Sequence, residues 1–254
     1  MLITSKVTDV GIKKPVNQDA PIIKKAYADG ADVVFLGVCD GMGGLSNGER
    51  ASAEGIKLLN EWFENDLKKL VYRGLTNERV EESLRKCLQR IHESIKKDAD
   101  NFGVDCGTTL SAILLYNGRY ATVNIGDSRV YRLTPDGLTL LTHDHSLVQQ
   151  MVDNGEITPE EAKTHKKRSI LLQALGVSEE IFPDFTFGTY DLDDVFLVCS
   201  DGFRHKIEEN EIYSLFNPLS ITDKEDLTER AIYAVDVNKT RAEKDNITVV
   251  VAKM

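Results

Sequence analysis

GTTLSAILLYNGRYATVNIGDSRVYRL, residues 107–133, is the stretch that decides the fold. From Gly107 the residues turn to Thr, Ile, Tyr and Val, the types that favour strands. Asn117-Gly118 then interrupts the run as a hairpin turn, and Gly126-Asp127-Ser128 interrupts it again before RVYRL. Three strands joined by two tight turns make an antiparallel meander. Upstream, Val33–Cys39 is a continuous apolar run rich in β-branched residues, the mark of a buried strand, and its next residues are Asp40-Gly41. Ser46 with Glu49 forms a capping box ahead of Ser52, Ile56, Leu59 and Phe63, one face of a helix of about five turns. Val80, Leu84, Leu88, Ile91 and Ile95 keep helical spacing, and Glu81/Arg85, Glu82/Lys86 and Glu93/Lys97 are pairs four residues apart, acid first, on a solvated face.

Downstream, residues 143–180 lose the strand pattern and read as short helices, one of them with Thr158 as N-cap, Pro159 at the first position and Glu161 at the third. Val195–Cys199 is a second buried strand, ending in Ser200-Asp201-Gly202. Two helices follow, one around Glu208–Phe216 and one after a Thr222/Glu225 capping box, and Asp245-Asn246 introduces a last strand, Ile247–Ala252. Runs of strands interleaved with pairs of helices, without strict β-α-β alternation, predict an α+β fold with antiparallel sheets and helices outside them. No linker or repeat interrupts the chain, so residues 1–254 read as one domain.

Composition bounds the function. The chain has 254 residues, 41% hydrophobic and 28% charged, the profile of a globular protein. Its formal charge of −10 disfavours nucleic acid and anionic membranes as partners. No apolar run approaches the ~20 residues of a membrane helix, and the N-terminus lacks a signal-peptide core, which predicts a cytoplasmic protein. Cys39, Cys87, Cys106 and Cys199 are scattered without a C-x-x-C pair, which suits small buried residues in a reducing compartment.

Two apolar strands each end by delivering an Asp followed by Gly, Asp40-Gly41 and Asp201-Gly202. A Gly there lets the backbone turn sharply and bring its carbonyl near a ligand. Asp127 and Asp245 have similar settings. Four carboxylates that converge need compensating charge, because like charges raise one another's pKa. Divalent cations supply it, and an all-oxygen ligand set favours Mg²⁺ or Mn²⁺ over zinc.

Five blocks in order resemble the protein phosphatase 2C family, the metal-dependent Ser/Thr phosphatases, in its compact bacterial form. They are Asn17-Gln18-Asp19-Ala20, Val38 to Gly44, Gly107-Thr108-Thr109 leading to Asn124 to Arg129, Cys199-Ser200-Asp201-Gly202, and Asp245-Asn246-Ile247-Thr248. The resemblance implies a central sandwich of two antiparallel sheets flanked by pairs of helices, with two metals per chain, Mn²⁺ or Mg²⁺, at one end. It implies that Asp40 bridges both metals, that the Gly41 carbonyl ligates one, and that Asp201 and Asp245 hold the other. Asp19 would stand behind the ligands and orient metal-bound water, and Asp127 with Asp201 would match a third, weaker metal. Residues from about 143 to 180 would form a flap beside the site that affects substrate choice. The implied reaction is hydrolysis of phosphoserine and phosphothreonine on proteins by a water or hydroxide bound between the metals, without a phosphoenzyme. Implied partners are phosphoproteins and a cognate Ser/Thr kinase, and the expected state is a monomer.

Three residues depart from the family pattern. Lys14 stands where an Arg commonly contacts the substrate phosphate, keeping the charge but losing the bidentate fork. Met42 replaces a His of larger eukaryotic members, as is common in compact bacterial ones. His205 falls where many relatives place an acidic third-metal ligand, so it either ligates Mn²⁺ or marks loss of that site.

Other readings fare worse. A cysteine-dependent phosphatase needs Cys-x5-Arg, whereas Cys199 and Arg204 are spaced Cys-x4-Arg and the thiol lies in an apolar strand. Gly43-x4-Gly48 is followed by Glu49-Arg50, not the Lys-Ser/Thr of a phosphate-binding loop. His143 and His145, two apart, do not share a helix face. Lys163, Lys166, Lys167 and Arg168 read as a solubilising loop face that could also meet an acidic phosphopeptide. The main alternative is a pseudophosphatase, inactive or weak, that acts as a regulatory binding module.

Overall fold

A computed structural model describes residues 2–28, 30–43 and 47–254. Ser46, and with it the Ser46/Glu49 capping box, lies outside the described residues. Eleven strands appear among the described residues: β1 (Ile3–Asp9), β2 (Asp19–Ala28), β3 (Ala31–Gly43), β4 (Cys106–Thr108), β5 (Leu110–Tyr116), β6 (Arg119–Ile125), β7 (Arg129–Thr134), β8 (Gly137–Leu140), β9 (Asp184–Thr189), β10 (Val195–Cys199) and β11 (Ile247–Lys253). They form two antiparallel sheets, ordered β1-β11-β10-β7-β8 and β2-β3-β5-β6-β9, with β4 pairing to β3.

The sheets pack face to face through Val34, Leu36, Val38, Ile113, Leu115, Val130, Phe196, Val198 and Val250. Alternate residues of the same strands point outward, Val33 and Phe35 from β3 and Leu197 and Cys199 from β10, and meet helices. Both faces of the central strands are therefore dry, which is why they read as unbroken apolar runs rather than alternating ones. The α+β sandwich expected from the sequence is the observed architecture, but the expected three-strand meander is corrected: β5 and β6 pair as a hairpin, whereas after Gly126-Asp127-Ser128 the chain crosses to the other sheet, where β7 pairs with β10 and β8.

Over the β3 sheet lie α1 (Asn47–Glu61), a π-helical turn (Trp62–Leu67), α2 (Lys68–Arg73) and α3 (Asn77–Phe102). The wide turn keeps Trp62, Phe63 and Leu67 all buried, so the first helix runs further than its apolar stripe predicts. Trp62 Nε1 donates to Ser83 Oγ on α3 at 2.9 Å. α3 carries the expected stripe, is capped by Thr76, and ends at Gly103. Between β8 and β9 lie α4 (Leu147–Asp153) and α5 (Pro159–Thr164), the latter with the expected Thr158/Glu161 capping box. Over the β10 sheet lie α6 (Asp201–Arg204), α7 (Glu209–Phe216) and α8 (Lys224–Thr240). The cap of α8 corrects the Thr222/Glu225 expectation: Asp223 is the N-cap and accepts from the Asp226 N–H at 2.8 Å, while Thr222 N–H donates to Asp226 Oδ2.

β1, β2, β8 and β9 carry no clear apolar signal because all four are sheet edges. β2 holds Pro21 and Lys24-Lys25, tolerable only where one side of the strand needs no partner. No helix among the described residues is long and apolar enough to cross a membrane.

Candidate metal centre

The acidic blocks converge at one end of the sandwich. Asp19, at the start of β2, lies opposite Asp40 near the end of β3 in the antiparallel register. Asp201 follows β10 and opens α6, Asp245 precedes β11, and Asp127 occupies the turn between β6 and β7. Each block also carries side chains that tie these turns together. Asn246 Oδ1 accepts from the Gln18 N–H at 2.9 Å, and its amide donates to the Val10 and Val16 carbonyls, so the first and last blocks are one knot. Thr109 Oγ1 accepts from the Asp40 N–H at 3.1 Å, and Thr108 Oγ1 donates to the Asp40 carbonyl at 3.0 Å. Asn124 donates to the carbonyls of Gly126 and His143 and so holds the Asp127 turn.

The glycines of the two Asp-Gly pairs serve a purpose the sequence reading missed. Neither has a positive φ, so neither is needed for a sharp turn. A Cβ on Gly202 would lie 2.1 Å from the Asn246 carbonyl oxygen and 3.2 Å from Asp245 Cβ. One on Gly41 would lie 2.1 Å from the Gly48 carbonyl oxygen and 2.7 Å from that of Gln18. The missing side chains let the acid-bearing segments touch.

Crowded carboxylates pay electrostatically. Burial pushes the Asp19 carboxyl up to about 7, against hydrogen bonds from Ser200 and Thr248 that pull it down, and Asp201 and Asp245 add to the rise. Burial and the charges of Asp19, Asp201, Asp127 and Asp245 push Asp40 well above the carboxylate range. Asp127 rises to about 7 through burial and Asp201, against the pull of Arg204. Asp19 Oδ1 and Asp201 Oδ1 are buried without a hydrogen-bond partner. Among the described residues no three acidic, His or Cys side chains close into a finished metal cage. Buried oxygens without donors, on carboxylates that repel one another, nonetheless fit divalent cations, which supply the positive charge and the coordination such a set lacks.

Protein cations sit at the two flanks. Lys14 Nζ lies 2.7 Å from Asp245 Oδ1, so the residue expected at the substrate phosphate instead pairs with an expected ligand. The nearby acids hold its ammonium above the usual lysine value, although burial opposes this. At the other flank Arg204 Nη2 donates to the Asp127 carbonyl at 2.9 Å, with Asp127 Oδ2 at 3.5 Å and Asp144 Oδ2 at 3.2 Å. Asp144 also takes a bidentate pair from Arg129, at 2.9 and 2.8 Å. His205 Nε2 lies 3.4 Å from Asp201 Oδ2, and its Nδ1 lies 3.5 Å from the buried Glu243. Asp144 and Glu243 were not singled out from the sequence, and neither Arg129, which closes a family block, nor Arg204, weighed only in the rejected Cys-x4-Arg spacing, was given a role at the site.

The chain segment expected as a flap runs beside this flank. Asp144 lies at its base, and a cavity of about 580 Å³ separates α4 and α5 from α6 and α7, with Asp127, Arg204 and His205 on its inner wall. Of the basic run, Lys163 pairs with Glu208 at 3.0 Å and Arg168 lines the cavity. His143 and His145 pair with Asp153 and Asp184, each at 2.9 Å. All four cysteines are buried free thiols, and burial pushes Cys199 up to about 12 and Cys39 higher still. Neither is a phosphatase nucleophile.

This arrangement can be set beside known proteins. The family described as Protein phosphatase 2C matches residues 12–230. The chain belongs to that family. A serine/threonine phosphatase, stp, of Listeria welshimeri is 34% identical over 221 residues, covering 85% of this chain and 82% of the relative. The structure of the S. agalactiae serine/threonine phosphatase superposes with a TM-score of 0.85 at 26% identity, covering 100% of both chains. The catalytic domain of the serine/threonine protein phosphatase PstP, solved in complex with 2 manganese ions, superposes with a TM-score of 0.76 at 29% identity over 99% of this chain and 97% of that one. The family match stops short of Asp245, whose place in the site rests on the geometry of the last block.

Proposed function

We propose that this chain, a serine/threonine protein phosphatase of its family, removes phosphate from phosphoserine and phosphothreonine with two divalent cations held by Asp40, Asp201 and Asp245. The observation that carries this reading is the convergence of Asp19, Asp40, Asp201 and Asp245 with partnerless carboxylate oxygens at one end of the sandwich. The two manganese ions of the PstP catalytic domain support the same count here. Asp40, the Gly41 carbonyl, Asp201 and Asp245 would hold the cations.

Bound Mn²⁺ or Mg²⁺ would supply Lewis acidity, lowering the pKa of water towards neutrality and offsetting the charge of the phosphoryl oxygens. The chain's residues do the rest. Asp19, held by Ser200 Oγ at 2.7 Å, keeps one acceptor oxygen turned to the site, where it orients a water and takes up its proton. Lys14, once Asp245 is engaged by a cation, presents its ammonium to the phosphate dianion as a point charge rather than a fork. Cys39 and Cys199 stay protonated and offer no thiolate nucleophile, which accords with direct attack by water, without a phosphoenzyme, in this reading. Residues 1–254 act as one catalytic domain, with 143–180 as a flap over the substrate, in a cytoplasmic monomer opposed by a Ser/Thr kinase.

The test is phosphate release from a phosphothreonine peptide and from p-nitrophenyl phosphate with Mn²⁺, with Mg²⁺ and with chelator. Turnover of both substrates in metal alone supports the reading. A folded protein that turns over neither leaves the regulatory-module alternative, to be pursued by partner capture.

A further inference from the structure

Resting on the metal-centre reading, we propose that Arg204 takes the place of a third cation, so that Asp127 holds no metal and this enzyme works with two. The charges argue for it. Arg129 and Arg204 bring two guanidiniums to a single buried carboxylate, Asp144. Glu209 lies 3.9 Å from Arg129 but is more than half exposed, so it offsets little of that charge. The surplus positive charge lies on Arg204, whose Nη2 reaches both the carbonyl and the carboxylate of Asp127.

Chain connectivity makes the arrangement specific. Arg204 is the last residue of α6 and Asp201 the first, so the guanidinium returns to the acid turn from the same four-residue helix that delivers the second expected ligand. His205, next in sequence, lies between Asp201 and Glu243, with its ring nitrogens 3.4 and 3.5 Å from their carboxylates. A third metal would need Asp127 and Asp201 together, and a fixed cation stands at the first while His205 stands at the second. A divalent ion placed there would face an arginine that does not deprotonate. Cations held at Asp40 and Asp201 would remove the remaining repulsion on Asp127. The cost to function is rigidity, because a side chain on α6 replaces an exchangeable ion.

Counting bound Mn²⁺ by electron paramagnetic resonance and calorimetry tests this without an activity assay. Wild type and Arg204→Lys should bind two ions per chain up to millimolar Mn²⁺. Asp127→Asn should also bind two, with both affinities within about threefold of wild type. Arg204→Met should admit a third ion, lost again in the Arg204→Met/Asp127→Asn double variant. Three ions on wild type falling to two in Asp127→Asn overturn the inference and leave the two-metal site standing. A folded Arg204→Met that stays at two overturns it as well, and if that variant does not fold, the Asp127→Asn count decides alone. No bound ion at all overturns the metal centre itself.

Discussion

Ser200 Oγ donates to Asp19 Oδ2 at 2.7 Å across 181 residues of sequence, joining the first residue of β2 in one sheet to the residue that follows β10 of the other. Asp19 also stands opposite Asp40 across the β2–β3 ladder. One carboxylate thus ties the strand end that bears Asp40 to the strand end that bears Asp201. Ser200 Oγ accepts in turn from the Thr248 N–H at 3.1 Å, which brings in the segment that follows Asp245. The site is a seam between the sheets, and its precision depends on this hydroxyl.

Removing either partner separates the seam's two roles. Ser200→Ala leaves Asp19 and the Thr248 N–H short of partners and should cost about 1–3 kcal/mol of stability. Asp19→Asn removes one of the mutually repelling charges, so the metal-free protein should melt no lower than wild type, while kcat/KM falls by about 10–100-fold. Thermal melts in chelator beside rates in Mn²⁺ check both. An Asp19→Asn protein with full activity contradicts the role given to Asp19.

Stability should depend on pH in a direction set by the acids. Asp19 and Asp127 sit near 7 and Asp40 above the normal range, whereas in the unfolded chain each titrates at about 3.9. Between roughly pH 4 and pH 7 the folded state holds protons that the unfolded state has released, so metal-free stability falls as pH rises through that window. Asp144 and Glu243, held below their normal values, act in the opposite sense but at lower pH. Melting in chelator should therefore drop from pH 5 to pH 7.5, and the gain on adding Mn²⁺ should grow over the same interval. A metal-free melting temperature that rises with pH contradicts the crowding.

Gly202→Ala tests close approach directly. The new Cβ would collide with the Asn246 carbonyl, and overpacking of this kind costs about 1–3 kcal/mol. Displacement of the Asp245 turn should lower Mn²⁺ affinity by tenfold or more even where the protein folds. Calorimetric titration of the folded variant reads the loss.

Asp144→Asn leaves two buried guanidiniums facing each other. Breaking a buried pair in this way costs about 3–5 kcal/mol, and at about 2–4 °C per kcal/mol for a chain of this size the melting temperature should fall by roughly 6–20 °C. A change under 2 °C would mean that the network is dispensable.

How much of this was legible in the sequence follows from what each feature is made of. Asp40, Asp201 and the β5–β6 hairpin were visible because they lie on or beside strands whose apolar runs are local signals, whereas the crossing of β7 to the other sheet was not, since a turn's residues do not say which sheet the next strand joins. Asp127 and Asp245 were noticed as acids in turns beside strands, and Asp19 only as part of a block in family order, since nothing local distinguishes an acid that binds from one that does not. Arg204 and Asp144 meet across 60 residues, and no period or cap marks such a contact. The edge strands β1 and β2 were hidden because an edge tolerates the prolines and lysines that erase a strand's pattern. Gly202 was noticed for its flexibility and matters for its size.

The most direct test of the central claim compares wild type with Asp201→Asn for phosphate release from a phosphothreonine peptide, in Mn²⁺ and in chelator. The expected result is turnover by wild type in Mn²⁺ alone, with chelator and the substitution each reducing it by at least a hundredfold while the fold persists. Undiminished turnover in chelator, or by Asp201→Asn, would contradict a catalytic metal centre built on these carboxylates.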